Sequence, residues 1–554
     1  MEIKTGIKME NRRAARIIYS AVIAFINALC TSGAISHACF GWNVIEHYKW
    51  AMYFAVSFII AYMVFYLSEH INFAPVRTAN VTYKFSYKRM FAVACILFVC
   101  WLPYLIIYAP GLVNYDTVNQ VKDFLDGVSA VPYGYAPGQE EVTVLFNAHH
   151  PVFVTLIFGA FIKIGILLGK PALGLTLYII LQMVLAALIF SYAIEKAFEF
   201  GKNKSVILRR MITIFFALFP VIPYYVCDML KNTLHALFAL LYIFLFLRFV
   251  ISGHEFTRNE KIAWVVLSIL VTLTQNTGVY LVIITGVFLA IKGKNIRKTV
   301  IFGTAVSALL MLVILPKIIY PAFNIFPGGK QEVLGILFQQ TARYVRDYPE
   351  DITDEDIEVI SKVVDYDTLK NDFTFETTDN IKATFKLHAS TAELHNYYAL
   401  WIRQGIKHPG AYFRAILPIC GMFFAAGYDI GIFDHIPTNE GIFSQIQQIN
   451  PENMYTSMTN GYYRIRSFPV LRILFQHALY VLWIPVFCLY RRRVVSKKKS
   501  VLFMVPFVVN MLFLIMSPMV YSRYALPLIF ASPFLLYMTL LEDGINSGKE
   551  CEIV

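Results

Sequence analysis

An all-α, polytopic membrane bundle is the fold class this sequence predicts, and three observations predict it. Of its 554 residues, 58% are hydrophobic. Only 15% are charged, against about 25% in a soluble globular chain. Apolar runs of about 20 residues, the length of helix that crosses a hydrocarbon core, recur along the chain. A larger core does not account for so few charges; an apolar solvent does. Backbone groups in lipid must be satisfied within the spanning element, so the runs predict helices. They also lack the alternation of a transmembrane β-barrel strand.

The formal net charge of +12 raises nucleic acid as a partner, but its distribution argues for a lipid bilayer. Lys and Arg gather in short segments between apolar runs, the pattern of loops kept on the cytoplasmic side. The eight cysteines lie mostly inside apolar runs, as Cys95, Cys100, Cys227 and Cys488 do. There is no CxxC pair and no zinc spacing, so they read as small buried hydrophobes, not as a disulfide or metal framework.

Charge then orders the elements. Lys4, Lys8, Arg12, Arg13 and Arg16 precede a long apolar run from Ile17 that ends at no clear cleavage site, so it is read as a retained first helix with the N-terminus inside. Helices are expected over about 17–36, 50–68 and 90–108, with Arg77, Lys84, Lys88 and Arg89 marking an inner loop. Residues 1–89 thus hold two N-terminal spans and a cytoplasmic loop, and 109–149 form the first outer loop. The segment 151–168 is apolar. If it spanned, Lys202, Lys204, Arg209 and Arg210 would fall outside, so it is expected to lie in the outer interface. Spans follow over about 171–195, 209–225, 229–250, 261–275, 277–291 and 299–320, completing a membrane core over 90–320. A polar break at 275–278 separates two of them, and at membrane depth it requires a protein or water neighbour.

Residues 321–466 are expected to form an extracytoplasmic helical region, with helical stretches at 331–347 and 379–407 and an apolar segment near 411–426 that dips into the bilayer. Residues 467–554 make a C-terminal three-helix membrane segment over about 468–490, 501–517 and 526–541. Arg491, Arg492 and Arg493, with Lys497, Lys498 and Lys499 close behind, are its inner marker. The sum is about 12 transmembrane helices with both termini cytoplasmic. No repeat at solenoid period and no two-fold duplication of the transporter kind is visible.

Four polar clusters fall on the outer side. In YAPGLVNYDTVNQVKDFLDG, Asp116 sits just above the membrane with Gln120 one turn later. The pair fits an N-cap for a helix starting at Thr117, with Gln120 reaching back, and it fits a catalytic carboxylate. In FNAHHPVFVTLIFGAF, His149 and His150 are adjacent, poor spacing for one metal. They read either as interfacial residues at a loop-to-helix turn or as hydrogen-bonding groups for a phosphate or hydroxyl. In YYVCDMLKNTLH, Asp228, Lys231, Asn232 and His235 open a membrane helix, where ionisable groups face a bundle interior or cavity. Against that, Lys231 can snorkel, or pair with Asp228 across one turn. In SPMVYSRYALP, Arg523 between Tyr521 and Tyr524 is either an interfacial anchor or a planar fork suited to phosphate. With Asn276 from the polar break, convergence of these loops would create a surface cavity holding a carboxylate, cations and amides.

On these residues a resemblance rests. PGxxxxD followed by Gln120 and then HHPxxxTLxxG resembles the start of GT-C-type glycosyltransferases, whose first large outer loop carries an acidic residue and ends in a histidine–proline element before an interfacial helix. More closely, the chain resembles a bacterial multi-pass membrane family of unknown function. That likeness runs through KNTLHALF at 231–238, TQNTGVY at 274–280, FQQTARYVRDY at 338–348, TTDNIKATFK at 377–386, WIRQGIKHPGAYFRAIL at 401–417 and SRYALP at 522–527. The GT-C resemblance implies a GT-C-like bundle in the bacterial plasma membrane, a polyprenyl-phosphate-linked sugar donor, and a surface glycan, lipid or protein acceptor. It implies Asp116 as the general base. Gln120, His149, His150, Asp228, Lys231, Asn276, Arg523 and Tyr524 become candidates for holding substrate or its phosphate. Two helices precede the one leading to the acidic loop, unlike better-known members. The loop also lacks the paired acidic residues of metal-dependent ones, which leaves a divalent metal open; no metal ligand is assigned and no other cofactor is expected. Other readings are a transporter or lipid flippase, whose polar residues sit at the bilayer midplane on broken helices, and a non-catalytic scaffold that kept the fold.

Overall fold

Seven helical stretches in the computed structural model are long and apolar enough to cross a membrane: Glu10–Thr31, Trp50–His70, Tyr87–Ile107, Pro171–Glu199, Lys231–Ile251, Arg297–Ala322 and Ser522–Leu540. Val152–Leu167, Gly278–Lys292 and Leu502–Ile515 are shorter apolar helices. The structure describes residues 2–40, 47–70, 83–127, 129–130, 143–200, 206–253, 255–375, 377–432, 441–446 and 452–542. The rest of the first long loop, at 128 and 131–142, lies outside them.

In chain order the elements begin with α1 (Glu2–Phe40), α2 (His47–His70), α3 (Tyr87–Ile107), β1 (Leu112–Val113), α4 (Tyr115–Asp126), β2 (Ser129–Ala130), β3 (Thr143–Val144), α5 (Val152–Leu167), α6 (Pro171–Phe200), α7 (Val206–Leu218), α8 (Val221–Val226) and β4 (Asp228–Met229). Then come α9 (Lys231–Ser252), α10 (Arg258–Thr274), α11 (Gly278–Lys292) and α12 (Arg297–Leu309), the last running on as a π-helix over Leu310–Ile319 into α13 (Tyr320–Ala322). They are followed by α14 (Gln331–Asp347), α15 (Asp354–Ser361), α16 (Tyr366–Asn371), α17 (Asp379–Lys382), α18 (Thr391–Lys407) and α19 (Pro409–Cys420). The chain closes with α20 (Glu452–Ser467), α21 (Pro469–Arg472), α22 (Ile484–Tyr490), α23 (Val505–Ile515) and α24 (Leu526–Glu542).

Several boundaries differ from expectation for identifiable reasons. The first helix is longer than 17–36 because its basic N-terminal residues continue the same helix. The span expected over 209–225 is divided between α7 and α8, where Pro220 cannot donate to the helical ladder. The span expected over 468–490 starts as the short α21 and resumes through a π-helical turn, Leu479–Trp483, into α22.

The centre of the bundle is α9, buried over most of its length, whereas Arg297–Ala322 leaves most of its apolar surface uncovered, as a lipid-facing helix does. Aromatic rings fix the packing there: Phe190 of α6 stacks on Phe216 of α7 at 4.3 Å and meets Phe530 of α24 edge-on at 5.0 Å. A second cluster joins α9 to α10 and α11 through Tyr242, Trp264 and Leu281.

Polar pairing distinguishes the two ends of the bundle. At one end Glu195, fully buried, receives hydrogen bonds from Tyr83 and from Arg89 and Arg209, and Arg248 pairs with Glu260, whose side chain also closes a capping box with Thr257. At the other end β1 and β4 form a short parallel pair, Leu112 opposite Asp228 and Val113 opposite Met229. Gln182 of α6 donates to the carbonyls of Val226 (2.9 Å) and Asp228 (2.7 Å). α5 stays at this second end. It follows His150 and Pro151, and α6 returns past it with Thr176 donating to Pro110 O at 3.0 Å.

Helices α14 to α18 have a core of their own, with Phe338, Val345, Ile360, Leu369, Phe385 and Tyr397. The apolar segment expected near 411–426 is α19 and the turn after it, packed on α14 and α1. The 331–420 region is tied to the bundle at the β1/β4 end by backbone bridges, Asn147 with Phe326 and Thr377 with Met519.

Candidate functional site

Where the chain leaves α3, the β1/β4 pair fixes the start of α4. Asn114 is the N-cap, its side-chain oxygen accepting from Thr117 N at 3.0 Å. This corrects the capping alternative for Asp116: the helix begins at Tyr115, and Asp116 sits in its first turn with its carboxylate not used as the cap. Thr117 Oγ1 donates to Met229 O, anchoring that turn to the entry of α9.

The carboxylate of Asp116 meets two cations. Lys231 Nζ lies 3.1 Å from its Oδ2, and Arg523 Nη2 donates to the same oxygen at 3.0 Å. The three residues come from three distant segments: the first turn of α4, the first turn of α9, and the turn before α24. Lys231 therefore does not pair with Asp228 across one turn, and neither Lys231 nor Arg523 snorkels outward; both are buried. Lys231 Nζ also reaches His150 Nδ1 at 2.6 Å. Burial, and then the charges of Lys231 and His149, hold His150 well below the usual imidazole range, so it is neutral and accepts from the ammonium. Arg523 lies over the rings of Tyr521 (4.3 Å) and Tyr524 (5.5 Å), which keep its fork aimed at Asp116.

Burial would raise the Asp116 carboxyl, but the charges of Lys231 and then Arg523 outweigh it and hold it well below the ordinary carboxylate range. Asp228 behaves in the opposite way. It is buried, its Oδ1 has no hydrogen-bond partner among the described residues, and burial pushes its carboxyl up to about 7 against the opposing charge of Arg523.

The remaining expected residues divide. His149 turns away from Lys231 toward Glu332, with Nδ1 3.5 Å from Oε1, although its ring centroid is only 4.5 Å from that of His150. Asn276, in the break between α10 and α11, donates to the carbonyls of Ala148 (3.1 Å) and His149 (3.2 Å); it positions the histidine pair and does not touch the ions. Gln120 donates to Thr155 at 2.9 Å, joining α4 to α5. His235 faces Thr274 on α10 at 3.3 Å.

Lys382, Glu332 and Asp379, which sequence reasoning missed, complete the site. Lys382 pairs with Glu332 (2.9 Å) and Asp379 (2.8 Å) and is buried. Both carboxylates belong to the 331–420 region, and Thr378 N donates to Pro518 O at 3.2 Å, hanging the segment on the turn that carries Arg523. The one available signal was the segment TTDNIKATFK. Among the described residues no group of three His, Cys, Asp or Glu side chains is placed to hold a metal ion. The arrangement is a pair of buried cations around one shared carboxylate, chemistry suited to an oxyanion and a proton.

Compared with known families, residues 8–550 match DUF6020, a family of unknown function. No curated protein and no solved structure matches the chain.

Proposed function

This chain belongs to the DUF6020 family, and we propose that it works as a membrane-embedded glycosyltransferase, moving a sugar from a polyprenyl-phosphate donor to a cell-surface acceptor. In this reading the end rich in Arg89, Arg209 and Arg248 faces the cytoplasm with both termini. The chain crosses about twelve times in a GT-C-like bundle, and the Asp116 end opens outside the bacterial plasma membrane. The observation that carries the reading is the sharing of one Asp116 oxygen by Lys231 and Arg523. Two buried cations on one carboxylate leave positive charge for a second anion, and the phosphate of a lipid-linked sugar is one that arrives at membrane level.

The chemistry follows from that sharing. The acceptor oxygen attacks the anomeric carbon, the bond from that carbon to the phosphate oxygen breaks, and the hydroxyl proton passes to Asp116. The departing lipid phosphate is stabilised by Lys231 and Arg523. A single displacement predicts inversion. A carboxylate clamped by two cations is a poor base, so the clamp delays proton transfer until donor phosphate draws the cations to itself. His150 holds Lys231 in place meanwhile, and Glu332 with Lys382 borders the site beside His149. Asn276 supports this over a transport path, because its own amide is spent on the carbonyls of Ala148 and His149.

The test is capture of polyprenyl phosphate by the purified full chain, read by native mass spectrometry. Wild type should retain the lipid, and Lys231→Met and Arg523→Met should each weaken it about ten-fold or more, the worth of one charge-assisted hydrogen bond. Equal capture by all three contradicts the reading.

A further inference from the structure

Along α14, eleven residues beyond Glu332 and hence about 16 Å from it, a second cationic cluster surrounds a single carboxylate. Arg343 Nε lies 2.7 Å from Asp347 Oδ2, Arg414 Nη2 reaches the same Oδ2 at 3.2 Å, and Arg346 Nη2 lies 3.0 Å from Oδ1. Arg414 also donates to Tyr348 at 3.3 Å. The arginines stand against aromatic faces: Arg343 over Phe375 at 5.3 Å, and Arg346 over Phe373 at 5.0 Å and Phe375 at 4.7 Å. The nearby carboxylate of Asp351 is already engaged by Lys407 (2.7 Å) and His408 (2.8 Å).

Among the described residues, three guanidinium groups and one carboxylate leave two charges in excess. Exposed arginines would carry such an excess in solvent, but the Arg343 side chain is only 2% exposed. Its Nη1, and the Nε of Arg414, have no hydrogen-bond partner among the described residues. A buried N–H of a charged group left without an acceptor costs more than a typical hydrogen bond contributes. An ordered oxyanion removes that cost and the charge imbalance together. The cluster also lies beside apolar surface. Arg414 belongs to the hairpin of α18 and α19, which exposes Ile402, Ile406 and Phe413 and packs on the membrane helix α1.

We propose that Arg343, Arg346 and Arg414 form a second oxyanion site, separate from the Asp116 pocket, that takes a phosphate group. Its source is either a lipid head group at the bilayer surface or a soluble phosphoryl compound. Asp347 occupies the site in the absence of that group and is displaced by it. The planar forks suit phosphate in bidentate geometry, and the rings of Phe373 and Phe375 hold two of them in register.

Equilibrium dialysis of radiolabelled inorganic phosphate against the full chain in neutral detergent tests the site. Wild type is expected to bind one phosphate more per chain than Arg346→Gln or Arg414→Gln, both changes at partly exposed side chains that leave the fold intact. Asp347→Asn, which removes the competing carboxylate, is expected to bind it about ten-fold tighter; a purely structural role for the cluster predicts no such gain. A parallel arm compares melting of wild type and Arg414→Gln in phosphatidylcholine nanodiscs with and without phosphatidylglycerol. Stabilisation of wild type alone by phosphatidylglycerol assigns the lipid source, and a response to inorganic phosphate alone assigns the soluble one. If the variants bind phosphate as wild type does and phosphatidylglycerol does not distinguish them, the site does not exist.

Discussion

Replacing Asp116 by Asn removes the carboxylate shared by Lys231 and Arg523 and leaves both cations buried at 3.1 and 3.0 Å from a neutral amide. Breaking a buried pair typically costs about 3–5 kcal/mol, because the surviving charge keeps its desolvation penalty. Here the Asp116 side chain is 21% exposed, so water partly replaces it, and the lower end, about 3 kcal/mol, is expected. For a chain of this length that is a fall in melting temperature of about 3 °C, scaling the entropy of unfolding with residue number. Two uncompensated cations are also a better anion site than two shared ones. Inorganic phosphate should therefore raise the melting temperature of Asp116→Asn more than that of wild type. Pairing Asp116→Asn with Lys231→Met should recover part of the loss, since the double variant buries one cation fewer. Thermal unfolding in phosphate-free neutral detergent, with and without added phosphate, measures all three. An Asp116→Asn variant that melts with wild type, or that phosphate protects no better than wild type, would refute the shared-carboxylate argument.

Three further outcomes follow from the same geometry. Asn114→Ala removes the cap of α4 and should cost about 1 kcal/mol, with weaker polyprenyl phosphate capture because Asp116 is no longer held in register. Gly278→Ala places a Cβ 2.1 Å from the Val271 carbonyl, which backbone cannot yield; it should lower stability by about 1–3 kcal/mol and loosen the Asn276 contacts, seen as faster hydrogen exchange at residues 148–150. Asp228, whose carboxyl burial raises to about 7, should cost stability as pH rises: no penalty below the ordinary carboxylate range, the full penalty above about 7. Asp228→Asn should therefore raise the melting temperature most on the alkaline side and least in acid, whereas the contribution of Asp116, whose carboxyl is lowered, is present at neutral pH and lost only in strong acid.

Much of this architecture was legible because membrane helices advertise themselves through length and charge. The basic segments around Arg89, Arg209 and Arg248 gather at one end of the bundle, and α5 begins at the other, where Gln120 reaches Thr155. Asp116, Lys231 and Arg523 stood out because ionised groups at the mouths of apolar helices need partners. The partners themselves were not legible. Asn114 and Asp116 both suit an N-cap, and only the pairing of Leu112 with Asp228 fixes which of them begins the helix. Asp228 and Lys231 are three apart, but Asp228 belongs to an extended segment, so one-turn spacing on a helix did not apply. Neither Glu332 nor Lys382 was singled out within the helical stretches expected at 331–347 and 379–407; residues 377–378, hung on the turn at 518–519, bring that region to the site.

The most direct measurement is the surface-glycan composition, by mass spectrometry, of cells lacking this chain and complemented with wild type or with Asp116→Asn, expression and folding of the variant being verified by its melting curve. A sugar residue lost on deletion, restored by wild type and not by Asp116→Asn, is the result predicted for an enzyme using that carboxylate as its base. Unchanged glycans on deletion, or full restoration by Asp116→Asn, would contradict it.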